Sequence, residues 1–318
     1  MRRRYWIQGI LFVVLVMLSY GLFENTYTKD YVSVMENISV SSVDKSDSLY
    51  KEIEQKAPSF EVEPQNAKIH KVWKKMPGLN GLEVNVDKSY LKMEDTGEFN
   101  KEKLVYNETE PEVTFDDLPA APVYRGHPDK KMVSFLINVS WGEEYIPNMI
   151  KALKKHNLKA TFFIDGKWAQ DHVELLKMIN EEGHEIGSHG YNHPDMSQMN
   201  KEQITDQITK TNGIIKSIIK KKPEFLAPPA GNFNKYVVNV AAEHNMETIM
   251  WTIDTIDWDN PSKAQVMNRV IPKLEGGSMI LMHPTKVMED TLEDLILKIK
   301  EKNYKIGTVG NLLSENRS

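Results

Sequence analysis

The sequence predicts an α/β fold organised around a parallel sheet, and three observations carry that prediction. Apolar runs too dense for one-sided burial recur between residues 130 and 313, as strands covered on both faces require. Stretches with helical apolar spacing separate them. The alternation is strict over about 185 of the 318 residues, and parallel neighbours need a crossover between them. A (β/α) barrel is the commonest closed solution.

The first strand is Met132–Val139, a near-continuous apolar run. In the helix Ile146–His156, the apolar residues Ile146, Met149, Ile150 and Leu153 share one face. Ala160–Ile164 is the next strand, Val173–Glu182 a helix and Glu185–Ser188 a short strand. A long helix runs from Lys201 to about Lys220. Strands follow at Phe225, Thr248–Ile253, Ser278–Met282 and Lys305–Val309.

Upstream of the barrel the chain changes character. Arg2, Arg3 and Arg4 precede an uncharged stretch, Tyr5–Phe23, long enough to span about 28 Å as a helix. The basic flank keeps the N-terminus inside and sends the rest across. Residues 1–24 therefore read as a signal anchor, or as a signal peptide if cleaved. The chain is then held at the cell membrane facing outside, or secreted. Residues 25–47 read as a polar tether. Residues 48–127 read as a small α/β module, with a helix at Tyr50–Gln55 and a strand at Leu82–Val86. Residues 128–318 form the barrel domain.

Composition excludes several function classes. With 40 Lys and Arg against 45 Asp and Glu, the net charge of −5 argues against a nucleic-acid partner. The absence of cysteine removes disulfides, thiolate metal sites and thiol nucleophiles. Any metal must use His, Asp, Glu or backbone oxygen.

Barrel chemistry collects at the C-terminal ends of the strands. Those ends carry Asn138, Ser188-His189, Ala227–Gly231, Asp254 with Asp257, and His283. His189 and His193 stand four apart, a spacing that lets two imidazoles converge on one divalent ion. The runs Lys159-Ala160-Thr161-Phe162-Phe163 and Gly183-His184-Glu185-Ile186-Gly187-Ser188-His189 make the pattern specific. Residues from about 130 to 313 resemble the polysaccharide deacetylase (NodB-homology, carbohydrate esterase family 4) domain. Trp141-Gly142 resembles its membrane-anchored, sporulation-associated members in particular.

The resemblance implies a distorted, incomplete (β/α) barrel that removes acetyl groups from peptidoglycan or chitin-like glycan. It implies a divalent metal, usually zinc, on an Asp-His-His triad, here with His189 and His193 as two ligands. It assigns His283 as the acid that protonates the leaving amine, oriented by Asp254 or Asp257. The Ala230 N–H takes the oxyanion role, and Trp258, Leu281 and Pro229 line the substrate groove. Two departures weaken the match. The family's T-F-D-D-G motif falls on Leu136-Ile137-Asn138-Val139-Ser140, so Asn138 replaces the base and Val139 the third ligand. Neither side chain can do that work. Ala227 replaces the arginine that pairs the base. Thr114-Phe115-Asp116-Asp117-Leu118 nearly spells the missing motif, but it lies too far upstream and reads as a solvated acidic loop. The expectation is weak or absent zinc and reduced deacetylation of acetylated cell-wall glycan. A glycan-binding pseudoenzyme and a tethered structural protein are the alternatives.

Overall fold

The computed structural model describes residues 45–317. The Tyr5–Phe23 segment and nearly all of the expected tether lie outside the described residues. Among the described residues no helix is long and apolar enough to cross a membrane.

The chain forms two compact units. The smaller comprises residues 45–62 and 82–107 of the described chain. It is built on α1 (Ser48–Lys56), whose Leu49, Tyr50 and Ile53 are buried. Residues 63–81 carry β1 (Lys68–His70) and β2 (Lys74–Met76), and β3 (Gly81–Val84) leads back into the small unit. The expected strand stops at Val84 because Asn85 caps a helix not foreseen there, α2 (Val86–Met93), by accepting from the Lys88 N–H. Tyr50 and Tyr90 meet edge to face, with ring centroids 5.8 Å apart. The chain leaves through β4 (Tyr106–Thr109).

A boundary near residue 127 is not what the structure draws. Residues 63–81 and 108–127 belong to the larger unit. The reason is main-chain pairing: Val123 donates to Thr248 O at 2.8 Å and accepts from Met250 N at 2.7 Å. Thr114–Leu118 is a short turn in which the Asp117 carboxylate accepts from both the N–H and the hydroxyl of Thr114. Those bonds lower the Asp117 pKa, and the two aspartates are exposed.

The larger unit alternates strand and helix: β5 (Met132–Val139), α3 (Ile146–Lys155), β6 (Thr161–Ile164), α4 (Gly166–Asp171), α5 (Val173–Glu181), β7 (Glu185–Ser188), α6 (Lys201–Ile219) and β8 (Phe225–Leu226). Then come α7 (Lys235–Glu243), β9 (Glu247–Thr248), β10 (Ile253–Asp254), α8 (Lys263–Val270), β11 (Met279–Met282), α9 (Lys286–Glu301), β12 (Lys305–Gly307) and α10 (Val309–Leu313). The parallel sheet runs β10-β11-β5-β6-β7-β8-β9, and β12 also pairs with β5. The single strand expected over Thr248–Ile253 is two strands at opposite ends of this sheet. Only residues 249–252 join them, a reach of at most about 18 Å. The sheet must therefore curl until its ends nearly meet, which makes an open barrel.

Alternation along β5 fixes two cores. Val133, Phe135, Ile137 and Val139 pack outward against the helices, with Leu153 and Leu292 among their layer. Met132 and Leu136 pack inward with Phe163, Phe225 and Ile249. The helices start where the sequence signals them: Pro147 opens α3, and Asn200 with Gln203 makes a capping box on α6.

His184 sits in the outer layer, where its Nδ1 accepts the Ala160 N–H at 3.2 Å. Burial, aided by Lys159, lowers its pKa to about 4. An unfolded histidine titrates near 6.5, so between about 6.5 and 4 the unfolded chain binds the extra proton. Stability should therefore fall as pH drops through that window, by up to about 1.4 kcal/mol per pH unit for this group. Urea unfolding of the native chain and His184→Gln across the window checks this, and the variant should show a shallower decline.

Candidate active site

The C-terminal strand ends converge on a cavity of about 380 Å³. Asn138, Ser140, Trp141, His189, His193, Ala230, Trp251, Asp254, Trp258, Leu281 and His283 line it. Asn138 faces inward because it shares the parity of Leu136 on β5. Val139 has the opposite parity, is fully buried in the outer apolar layer, and does not line the cavity. Ala227 and Pro229 are buried beside the site, Ala227 within the inner core.

His189 leaves the end of β7 with its ring almost wholly buried. Its Nδ1 lies 2.8 Å from the Ala227 carbonyl, which can only accept, so the proton is on Nδ1. The Nε2 lone pair is left free. Burial, then the neighbouring His193, push the pKa of His189 down to about 3, which keeps the ring neutral. His193 follows through left-handed backbone at Gly190, Asn192 and His193, with φ of 70°, 62° and 46°. That turn is held by Asp165, whose Oδ2 accepts the His193 N–H at 2.8 Å. Its other oxygen caps α4 by accepting the Lys167 and Trp168 N–H groups. The two imidazole centroids are 5.2 Å apart and inclined by 62°.

On the opposite wall His283 Nδ1 lies 3.1 Å from Asp257 Oδ1. The same carboxylate accepts from Thr255 Oγ1, Thr285 Oγ1 and the His283 N–H. Burial works against its charge, but the bonds from His283, Thr255 and Thr285 hold its carboxyl below the usual range. Asp257, and not Asp254, orients His283. Asp254 turns its Oδ1 to the Ile256 N–H at 2.8 Å. The Trp141 ring lies nearly parallel to His283, at 8° and 6.0 Å between centroids. Ala230 adopts a left-handed φ of 53°, inside the turn Pro229–Gly231. At Gly231, φ 70°, a Cβ would stand 2.6 Å from Trp251, so only glycine fits there.

This donor set does not fit a resident zinc of the family type. It offers two neutral imidazoles, while the third position is an apolar side chain turned the other way. Among the described residues no group of three His, Cys, Asp or Glu could hold a metal ion. His189 and His193 alone can attract one.

Sequence reasoning missed Asp165, Ser140 and Trp251. Asp165 was legible as a cap, since it follows an apolar strand and precedes Gly166-Lys167-Trp168. Trp251 was hidden inside a run read as one strand.

Against known proteins, a family model for polysaccharide deacetylase matches residues 110–249. YlxY of Bacillus subtilis, an uncharacterised protein, is 48% identical over 96% of each chain. A peptidoglycan-N-acetylglucosamine deacetylase of Bacillus cereus is 30% identical over 67% of this chain and 71% of its own. Among solved structures, a CE4 family pseudoenzyme from Bacillus anthracis is 44% identical with a TM-score of 0.82, covering 85% of this chain and 96% of that one. A mutant of that pseudoenzyme with restored enzymatic activity aligns at 42% identity and TM-score 0.82, over 85% and 99% of the chains.

Two outcomes follow from the geometry. Calorimetric titration with zinc should give weak binding that His189→Ala abolishes; nanomolar binding that survives loss of both histidines contradicts the two-ligand reading. Asp165→Ala should destabilise the chain by about 1–3 kcal/mol in urea melts, because it frees three N–H groups at once.

Proposed function

Because the chain belongs to the polysaccharide deacetylase family, we propose that it receives acetylated cell-wall glycan in this groove and hydrolyses it only at a residual rate. One observation carries the reading: the inward group at the base position of β5 is the carboxamide of Asn138. Amide hydrolysis needs a water deprotonated, an oxyanion held and an amine protonated. His283, steadied by Asp257, serves the last need, and the Ala230 N–H serves the second. No carboxylate stands at the base position of β5 to serve the first.

The glycan is proposed from the peptidoglycan deacetylase relatives and from the aromatic rim, where Trp141 and Trp258 are 44% and 57% exposed. Export and attachment at the membrane rest on Arg2–Arg4 and Tyr5–Phe23. A second reading, a binder that releases no acetate, is favoured by the 44% identity to the Bacillus anthracis pseudoenzyme. Acetate release from N-acetylglucosamine oligomers with added zinc separates the two.

Rebuilding the lost groups is the sharper test. Asn138→Asp with Val139→Asp should raise acetate release roughly 10²–10⁴-fold, the range of general-base effects. The two should be more than additive, since a base and a third ligand at neighbouring positions act as a unit. Val139→Asp alone should lower Tm, because its carboxylate either sits in the outer apolar layer or must pull the strand end round to reach the cavity. Adding Ala227→Arg should improve on the double variant by giving the carboxylate introduced at position 138 a partner. If both variants fold, bind zinc and release no acetate, the binder reading stands.

A further inference from the structure

We propose that Arg269, on α8, is a positioning residue for the Asp257–His283 pair. Together with Asp254 it clamps Ile256 in a left-handed turn, and that turn brings the Asp257 carboxylate to the His283 ring. The use of His283 as an acid rests on the reading above, whereas the clamp is a property of the chain alone.

Ile256 joins β10 to the turn that carries Asp257, with φ 50° and ψ 40°. That is the left-handed region, where a β-branched residue is an outlier because its Cβ crowds the carbonyl oxygen. Glycine or asparagine is the ordinary occupant. Such backbone persists only where its surroundings hold it. Two side chains do so from different sides. Asp254 Oδ1 accepts the Ile256 N–H at 2.8 Å. Arg269 Nη1 donates to Thr255 O at 3.0 Å and to Ile256 O at 3.4 Å. One nitrogen thus holds both carbonyls that flank the Ile256 Cα. Arg269 reaches them from the last turn of α8, and among the described residues it pairs with no carboxylate. Its charge is spent on main chain.

The turn sends two neighbours in different directions. Asp257 is fully buried, and its carboxylate collects His283, Thr255 and Thr285. Trp258, the next residue, is exposed and lines the cavity. If Ile256 relaxed to right-handed or extended backbone, the chain would change direction after Thr255. Asp257 Oδ1 would then lose its shared contact with Thr255 Oγ1, at 2.7 Å, and His283 Nδ1, at 3.1 Å. Arg269 does not line the cavity, so it acts on His283 through the backbone. A carboxylate can only accept, so the His283 ring proton sits on Nδ1 and reports on that contact.

NMR of the full chain in detergent, with nitrogen-labelled histidine at neutral pH, reads that proton. His283→Gln and His189→Gln assign the two hydrogen-bonded ring N–H signals. Arg269→Ala should broaden the His283 signal beyond detection. It should leave that of His189, bonded to the Ala227 carbonyl on the opposite wall, unchanged. Adding Ile256→Gly to Arg269→Ala should restore the His283 signal, because glycine holds the left-handed turn without a clamp. A role for Arg269 in merely seating α8 gives no such rescue. Melting curves show whether each variant folds. If Arg269→Ala does not, Asp254→Ala, which frees the Ile256 N–H, carries the test with the same rescue. A His283 signal that survives Arg269→Ala, or that Ile256→Gly fails to restore, overturns the clamp and leaves the glycan reading untouched. Acetate release decides that reading separately, and its failure leaves the clamp standing.

Discussion

Side chains on β5 must alternate between the inside of the barrel and its helical coat, and both the packing and the chemistry hang on that constraint. The strand is buried along its whole length and is flanked by β11 and β6, with β12 against its start. Its outward residues anchor the helices, and its inward residues fill the barrel. At the C-terminal end the same parity makes residue 138 a cavity group and residue 139 a core group. Valine at 139 is accordingly not a passive remnant. It completes the outer layer alongside Ile137 and Phe135, and a fully buried aliphatic side chain is worth about 1.5–3 kcal/mol relative to exposure.

The histidine wall depends on a different device. Three left-handed residues after His189 form a turn that the backbone would not hold unaided, and the Asp165 carboxylate ties it to the start of α4. The Ala227 carbonyl then sets the tautomer of His189 from the next strand over. Two strands and one helix cap thus orient a pair of rings whose third partner is gone. The opposite wall is equally well built, since Asp257 is saturated by four donors and keeps His283 in place. The supporting shell on both walls is complete, and Asn138 lies between them.

Much of this was legible in the residues. The alternating pattern located most strands of the sheet, the strand-end rule collected His189, Ala230, Asp254 and His283, and the four-residue spacing from His189 added His193. Asn138 and Val139 were recognisable as replacements, but their opposite facing was not, because it depends on register with β6 and β11. Thr248–Ile253 reads as one apolar strand, since nothing local says that the chain leaves one sheet edge and joins the other. Only closure of the barrel splits it. The helix α2 was hidden in the same way, behind Asn85, a cap that looked like the polar member of an alternating strand.

Ala227 explains why the losses come together. It is 2% exposed within the inner core, so an arginine there would have its charge confined near the cavity floor. With an aspartate at 138 such a charge is paired; with Asn138 it is stranded, and a stranded buried charge destabilises by several kcal/mol. Alanine at 227 avoids that penalty, and the β5 residues that line the cavity, Asn138 and Ser140, are uncharged. An amide at 138 cannot take a proton from water, and no carboxylate has to be desolvated at that position. The exposed indoles at the rim keep their stacking area in either case. Asn138 with Ala227 in place of a charged pair therefore removes a proton acceptor and the cost of desolvating it together.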